Sequence, residues 1–203
     1  MIALVTGASS GIGRDISIEL AKKGYDIILV ARNVERLNDT KDFIEKTYKK
    51  KCSVKSVDLS DRNACLKLHR EVIDEFGIID VLINNAGFGL CSEFVEGDLD
   101  KELSMIDTNI TALHILTKLF LQDMQKNDKG YIMNVASIAG FMAGPLMATY
   151  YATKNYVVKL SQAIKYELKV AHSHVKVSCL CPGPVDTNFS KTAGVRFSLK
   201  RSK

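Results

Sequence analysis

The residues with the clearest catalytic potential are Tyr150 and Lys154, four positions apart in a segment with helical spacing. Residues at i and i+4 share one face of a helix, so the Lys154 ammonium is expected near the Tyr150 phenol. Free tyrosine has a pKa near ~10, and a neighbouring cation lowers that pKa by favouring the phenolate. The pair therefore predicts an acid–base group that works closer to neutral pH.

Two further polar residues give this pair its weight, because a lone Tyr-x-x-x-Lys spacing is common by chance. Ser137 lies thirteen residues before Tyr150, at the end of a predicted strand, and Asn109 lies in a long helical segment. The alternative for Ser137 alone is a helix-capping or turn serine. These four residues are the candidate catalytic set.

A glycine-rich run, TGASSGIG at residues 6–13, follows a predicted strand and opens a predicted helix. Glycines permit a tight turn and let backbone N–H groups approach a pyrophosphate, while the helix N-terminus adds partial positive charge. An ordinary strand-to-helix turn is the alternative. The run predicts dinucleotide contacts from Gly7, Ser9, Ser10, Gly11, Ile12 and Gly13.

Arg32 follows the second predicted strand, where a dinucleotide-binding fold places the residue that reads the adenosine ribose. An acidic residue there would bind the 2′-hydroxyl of NAD, whereas an arginine pairs with a 2′-phosphate. The sequence therefore predicts NADP(H), with NAD(H) possible. A solvent-facing arginine at a helix start is the alternative, and Arg14 is a second phosphate-binding candidate.

Small and amide residues follow two other predicted strands. Asn85, Ala86 and Gly87 come after the fourth strand and suit the wall of a cofactor crevice. Pro182 and Gly183 come after the sixth and would carry the chain across that crevice. Each run taken alone would be only a turn signal.

The elements that position these residues alternate between strand and helix. Helical spacing separates the short β-rich runs, and the longest helical segments cover 99–125 and 149–171. This alternation predicts an α/β fold with a doubly wound parallel sheet, in one domain over 1–190 and a short tail over 191–203. The predicted strands are 2–6, 26–31, 52–57, 80–84, 130–136 and 175–181.

The composition excludes several classes of protein. The 203 residues are 46% hydrophobic and 25% charged, as in globular proteins, and the net charge of +5 is spread along the chain without a nucleic-acid-binding patch. No apolar run reaches the ~20 residues of a membrane helix, and no signal peptide is evident. A small-molecule substrate and a cytoplasmic location are expected.

The five cysteines predict neither a disulfide framework nor a metal site, because their number is odd and no Cys-x-x-Cys pair occurs. Free thiols fit a reducing compartment. Cys179 and Cys181 could form a redox pair. The favoured interpretation is that both lie in or beside one strand as small apolar residues.

These motifs together resemble the short-chain dehydrogenase/reductase family in its single-domain form, over residues 2 to about 187. The glycine-rich run, the NNAG run at 84–87, the catalytic set and the PGPVDT run at 182–187 occur in the family's order. The stretch over 134–154 looks most like bacterial-type reductases of broad carbonyl specificity, a group that includes 3-oxoacyl-carrier-protein reductases. The family resemblance implies a Rossmann fold with strand order 3-2-1-4-5-6.

The resemblance also implies the roles of individual residues. Tyr150 would exchange a proton with the substrate oxygen, and Ser137 would hydrogen-bond that oxygen. Lys154 would lower the pKa of Tyr150 and hold the nicotinamide ribose, while Asn109 would hold a proton-relaying water. The further cofactor contacts it implies are Asp58 to the adenine, Asn85 and Gly87 to the adenosine ribose, and Val185 and Thr187 to the carboxamide.

Members of the family usually continue for some 50 residues beyond the PG turn, whereas this sequence stops at Lys203. The expectation is therefore a sheet that lacks its seventh strand, its substrate lid and one subunit interface. A homodimer through the helices at 99–125 and 149–171 is predicted.

The function that the resemblance implies is that of an NADP(H)-dependent carbonyl reductase or alcohol dehydrogenase. The alternatives to this function are a dinucleotide-binding protein without turnover and a truncated, poorly folded product.

Overall fold

The computed structural model describes residues 1–185, in which strands and helices alternate from the first residues onward. The predicted tail over 191–203 and the predicted contact Thr187 lie outside this part of the chain. Every predicted strand is present, with bounds that agree to within one residue. The strands are β1 (Ile2–Thr6), β2 (Asp26–Ala31), β3 (Cys52–Ser56), β4 (Val81–Asn84), β5 (Tyr131–Val135) and β6 (Lys176–Leu180).

Within residues 1–185, six α-helices connect these strands. Asn33, Asp61 and Asp98 cap three of them by accepting hydrogen bonds from backbone N–H groups of the first turn. The helices are α1 (Gly11–Lys22), α2 (Val34–Tyr48), α3 (Arg62–Phe76), α4 (Leu99–Ile106), α5 (Leu113–Lys126) and α6 (Ala148–Val170).

All six strands are parallel and form one sheet in the order β3-β2-β1-β4-β5-β6, which confirms the predicted fold and strand order. The order reverses between β1 and β4, because the chain winds outward first on one side of β1 and then on the other. All six strands therefore end at the same edge, and the reversal leaves a crevice there.

The sheet is buried on both faces, as expected for a parallel sheet between two helical layers. Along β1, Ala3 and Val5 pack into the layer beneath α1 and α2, whereas Leu4 packs into the layer beneath α3 and α5. Phe120 of α5 is fully buried in that second layer. This two-sided core makes the sheet a rigid support for the loops at its carboxyl edge.

The predicted helix over 99–125 is present but is not uniform. Between α4 and α5 the backbone forms a π-helical segment, Asp107–Ala112, so the helical path is widened where Asn109 lies. Short π-helical segments within α-helices often occur at functional sites, because they change the direction of a side chain without ending the helix. Apolar periodicity does not predict this change of hydrogen-bond pattern.

None of the helices within residues 1–185 is both long and apolar enough to cross a membrane.

Candidate active site

A crevice of about 450 Å³ opens at the carboxyl edge of the sheet, where the strand order reverses. Most residues predicted to bind the cofactor line it, and Ser137 lies among them. The predicted residues in the lining are Gly7, Ser9, Ser10, Gly11, Ile12, Arg32, Asp58, Asn85, Ala86, Gly87, Tyr150, Lys154, Pro182, Gly183 and Val185.

The glycine-rich turn between β1 and α1 forms the floor of the crevice at one end. Gly7 and Gly11 have φ values of +66° and +52°, a region that side chains with a Cβ rarely adopt. Ser10 is the N-cap of α1 but makes no side-chain cap, and the first turn of the helix holds no acidic residue. The first N–H groups of α1 thus remain available to an anion.

Gly13 has a different place from the one predicted. It lies beneath the turn rather than in the crevice lining, and a Cβ there would come within 2.4 Å of both the Gly7 carbonyl oxygen and Asn85 Nδ2. The Asn85 amide donates to the Thr6 and Gly7 carbonyls at 2.9 and 3.3 Å. Gly13 therefore permits close packing between α1 and the turn, and contact with a cofactor is not its evident role.

Arg32 projects from the end of β2, with 71% of its side chain exposed, and lies 3.8 Å from the Asp58 carboxylate. Asp58 accepts hydrogen bonds from the Ser60 backbone N–H at 3.0 Å and the Ser60 hydroxyl at 2.8 Å. The backbone hydrogen bond is the largest influence on Asp58 and, with Arg32, lowers the pKa of its carboxyl. Asp58 is therefore an anion beside Arg32, at the end of the crevice where β2 and β3 end.

Arg14, the second candidate for phosphate binding, is directed elsewhere. Its guanidinium lies 5.6 Å from the centroid of the Phe43 ring on α2, and it is 3.7 Å from the Asp15 carboxylate. A guanidinium over an aromatic face gains a favourable cation–π contact. Arg14 does not line the crevice.

Tyr150 and Ser137 meet at the opposite end of the crevice. Tyr150 lies in the first turn of α6, and Ser137 follows β5 at the start of a short 3-10 turn, Ile138–Phe141. The nearby Ser137 hydroxyl favours the phenolate, but burial of Tyr150 is the larger effect and raises its pKa above the ordinary value. The phenol is thus held in its protonated form at neutral pH.

Lys154 is buried one turn further along α6, and its ammonium donates a hydrogen bond to the Val135 carbonyl at 3.0 Å. Burial lowers the pKa of Lys154 to about 8, because a charged ammonium loses its hydration in the interior. The ammonium is 5.8 Å from the centroid of the Tyr150 ring. Burial of the phenol sets the direction of the Tyr150 pKa shift, and the implied lowering of that pKa by Lys154 stays a prediction.

Asn109 does not line the crevice but lies directly behind it, in the π-helical segment. Its amide oxygen accepts from the Phe88 backbone N–H at 3.0 Å, and its amide nitrogen donates to the Phe88 carbonyl at 2.9 Å. The same nitrogen donates to the Thr153 hydroxyl at 3.1 Å. Asn109 thereby ties the loop after β4 to α6, and its implied role in holding a water stays a prediction.

Several lining residues are not singled out by sequence reasoning. Val57 and Leu59 flank Asp58, and Thr108 precedes Asn109, so proximity in sequence to a motif is the only available signal. Thr153 is also missed, although it fixes the amide of Asn109. Residues of these types are common in any core, and only their tertiary placement distinguishes them.

The family model for short chain dehydrogenases matches residues 1–195, and the chain therefore belongs to this family of oxidoreductases. An uncharacterized oxidoreductase of Staphylococcus epidermidis is 38% identical over 201 residues, which is 98% of this chain and 84% of that protein. Human dehydrogenase/reductase SDR family member 7 is 34% identical over 191 residues, which is 93% of this chain but 56% of the human protein.

Solved structures of similar fold include a short-chain dehydrogenase from Sphingobium yanoikuyae in complex with NADPH. It has a TM-score of 0.91 and 28% identity, over 99% of this chain and 77% of that one. A short chain dehydrogenase/reductase from Burkholderia phymatum in complex with NAD has a TM-score of 0.88 and 27% identity, over 100% of this chain and 72% of that one.

The buried ammonium generates a prediction about stability and pH. Lys154 has a pKa of about 8 in the folded protein and 10.5 as an ordinary side chain, so the unfolded chain binds more protons between these values. The free energy of unfolding relative to a Lys154→Met variant should therefore rise from pH 8 to pH 10, by on the order of 2 kcal/mol. Urea denaturation of both proteins at each pH measures this difference.

Exposed Lys159, on the same helix, offers the matched control. Lys159→Met should differ from the parent by an amount that does not change over this pH range. A stability difference for Lys154→Met that is constant between pH 8 and pH 10 would contradict the burial of a charged ammonium.

Proposed function

We propose that this protein is an NADP(H)-dependent carbonyl reductase or secondary alcohol dehydrogenase, with Asn109, Ser137, Tyr150 and Lys154 as its catalytic set. The observation that carries the proposal is the meeting of Ser137, Tyr150 and Lys154 in one crevice with the glycine-rich turn. A dinucleotide bound along this crevice would have its phosphates at the turn and its reactive end at the phenol. The NADPH complex of a similar fold supports the same assignment.

The chain's own residues fit such a cofactor. The uncapped start of α1 and the two glycines with positive φ suit a pyrophosphate, and Arg32 suits a phosphate on the adenosine ribose. When bound, the reduced nicotinamide supplies a hydride to the carbonyl carbon. Negative charge then develops on the substrate oxygen.

The protonated state of Tyr150 suits the reductive direction. Its buried phenol, with a raised pKa, remains a proton donor at neutral pH, and the Ser137 hydroxyl can donate a hydrogen bond to the same substrate oxygen. Donors that are already oriented stabilise the developing charge without reorganisation. Lys154, whose ammonium is 5.8 Å from the centroid of the Tyr150 ring, would hold the nicotinamide ribose hydroxyls beside the phenol.

The wall near Tyr150 favours a substrate with a hydrophobic body. Met105, Ala139 and Met147 are buried against Tyr150, and Phe88 and Leu90 pack on the same group. Phe141 and Met142 are exposed just beyond it. Apolar side chains around a few convergent polar groups are typical of sites for small molecules.

Replacing Tyr150 by phenylalanine tests the catalytic assignment. The variant loses the proton donor but keeps the ring, so turnover of a carbonyl panel with NADPH should fall by at least about 10²–10⁴-fold. NADPH affinity, measured by fluorescence titration, should stay within a few-fold because the phenol acts on the substrate. Tyr166→Phe, at an exposed position of α6, is the control and should leave both quantities unchanged.

Near-normal turnover by the Tyr150→Phe variant would refute the assignment. If the unmodified protein binds NADPH tightly but turns over no member of the panel, the alternative of a dinucleotide-binding protein without turnover is favoured instead.

Arg32 is proposed to carry a preference for NADP(H) over NAD(H). A charge-assisted contact with the 2′-phosphate contributes roughly 1.5–3 kcal/mol, or about 10- to 150-fold in affinity. Arg32→Asp should reverse the preference in kcat/KM, because a carboxylate repels the phosphate and accepts from a free 2′-hydroxyl. Arg70→Asp makes the same change of charge at an exposed residue of α3 and should preserve the preference.

Equal kcat/KM values for the two cofactors in the unmodified protein would contradict this proposal. The neighbouring Asp58 carboxylate would compete with the 2′-phosphate for the Arg32 guanidinium, and this competition would reduce the preference for NADP(H).

A homodimer through the helices at 99–125 and 149–171 also remains a proposal. The apolar faces of these helices are broad, but much of this surface is buried within the chain itself and does not require a partner: Leu113, Leu116, Phe120, Val157 and Leu168. Support comes instead from the exposed apolar side chains of α4 and α6: Leu99, Leu103, Tyr166 and Val170. Burial of such side chains is a usual source of association energy.

Sedimentation equilibrium at tens of micromolar should give twice the mass of one chain. Leu103→Glu combined with Val170→Glu should shift the protein to the mass of a single chain, because charges would have to be buried at the interface. The same substitutions at exposed Phe94 and Val95 are the control and should leave the dimer intact. A monomer or a stable tetramer of the unmodified protein would contradict the proposal.

We also propose a cytoplasmic location, because none of the five cysteines, all of which lie within residues 1–185, is in a disulfide. Free thiols are typical of proteins in reducing compartments.

A further inference from the structure

Two thiols at the end of β6 form a cluster that the proposed reaction does not use. Cys179 lies in β6 and Cys181 directly follows it, so their side chains project from the same face of the extended backbone. Their sulfur atoms are 3.8 Å apart. Both pack against the apolar group that contains Val157 and Val158 of α6.

The pair lies behind the candidate active site. Neither cysteine lines the crevice, but both are close enough to Lys154 for their ionised forms to raise the pKa of its ammonium. Both thiols are partly exposed, whereas Cys52 and Cys65 are buried. A small molecule can therefore reach the pair without entering the crevice.

A disulfide between the two is disfavoured by the strand geometry. Two positions along an extended strand separate the Cα atoms by roughly 6.6 Å, which is the upper limit for a disulfide of ordinary geometry. Closing the sulfurs from 3.8 Å to a covalent bond would require β6 to bend at its end. The free dithiol is thus the resting form, as the structure has it.

The same spacing suits one thiophilic atom held between the two sulfurs. Two sulfurs bound at ~2.3 Å to one pyramidal atom, at an angle of roughly 100°, are about 3.5 Å apart. The Cys179 and Cys181 sulfurs are 3.8 Å apart, so a small approach would let both bind.

The number of ligands selects the kind of atom. Within residues 1–185, no group of three or more histidine, cysteine or acidic side chains can hold a metal ion. A tetrahedral zinc site needs four ligands and is not provided here. A trivalent arsenical needs only two protein sulfurs, because its third substituent is its own organic group.

We propose that Cys179 and Cys181 form a dithiol site that captures trivalent arsenicals as a cyclic dithioarsenite. Both sulfurs bond to the same arsenic atom. With an aryl arsenoxide, two S–H bonds and the arsenic–oxygen bond break and two arsenic–sulfur bonds form. The two protons leave with the oxygen as one water molecule, so arsenic and sulfur keep their oxidation states and no other reactant is needed.

Cys179 is not activated for reaction as a single nucleophile, which distinguishes this site from a reactive cysteine. Burial raises the pKa of Cys179 to about 11, so little thiolate is present at neutral pH and simple alkylation is slow. Capture by two sulfurs does not depend on one potent nucleophile. Its strength comes from the second bond, which is intramolecular once the first has formed.

The test uses phenylarsine oxide and the full chain with Cys91→Ser, which removes the exposed thiol outside the pair. The protein is treated with one equivalent and desalted in excess 2-mercaptoethanol, which strips arsenic held by a single thiol. Native mass spectrometry should find one phenylarsenic per chain, with a mass equal to the reagent less one water. Treatment with 2,3-dimercaptopropanol should remove it.

Cys179→Ser and Cys181→Ser, each in the same background, should lower the affinity for the arsenical by at least about 100-fold. Proteolysis and fragment masses should place the adduct of the parent on the peptide that contains both cysteines, which tests the site even if a variant fails to fold. No retained adduct, an adduct elsewhere, or equal retention by either folded variant would overturn the proposal. None of these readouts needs turnover, so they are independent of the proposed reaction.

Discussion

The arrangement of the candidate site depends on a buried hydrogen bond between the ends of two neighbouring strands. Asn84 Nδ2 of β4 donates to Asn134 Oδ1 of β5 at 2.9 Å, and Asn134 Nδ2 donates to the Ser161 hydroxyl of α6 at 3.0 Å. Thr117 of α5 joins the same network. In a low-dielectric interior each such bond would be costly to leave unmade. The network therefore fixes the loops after β4 and β5 relative to α6, which carries Tyr150.

The buried ammonium of Lys154 is the second constraint. Burial penalises its charge and also penalises ionisation of Tyr150, so the two groups are both displaced toward their neutral forms. A site of this kind keeps a proton on the phenol and responds strongly to any charge that enters the crevice. The end of the crevice at Arg32 and Asp58 is different, because both side chains are largely exposed and screened by solvent. Charged groups are thus screened by solvent at the Arg32 end of the crevice, whereas burial decides the ionisation of the groups at the Tyr150 end.

Local sequence was sufficient to predict the strands, their parallel arrangement and the motif residues at their carboxyl ends. Alternation of short β-rich runs with helical spacing is a local property, and β1 and β2 have the predicted bounds. Glycines at positions such as Gly7 and Gly11 are required by the backbone itself, through a positive φ. The strand order and the functional roles came from the resemblance to a family, and the roles of individual site residues remain predictions.

Tertiary structure alone decided which residues serve packing and which face the crevice. Gly13 belongs to the same motif as Gly7, yet it packs against the turn because α1 approaches Asn85 closely. Several apolar residues of α5 and α6, among them Leu116, Phe120 and Leu168, are buried within the chain in the layer that includes α3, so they do not by themselves indicate a partner. The direction of the Tyr150 pKa shift was also beyond local sequence. Spacing places a cation near the phenol, but the balance of charge against burial depends on how much water the folded chain excludes.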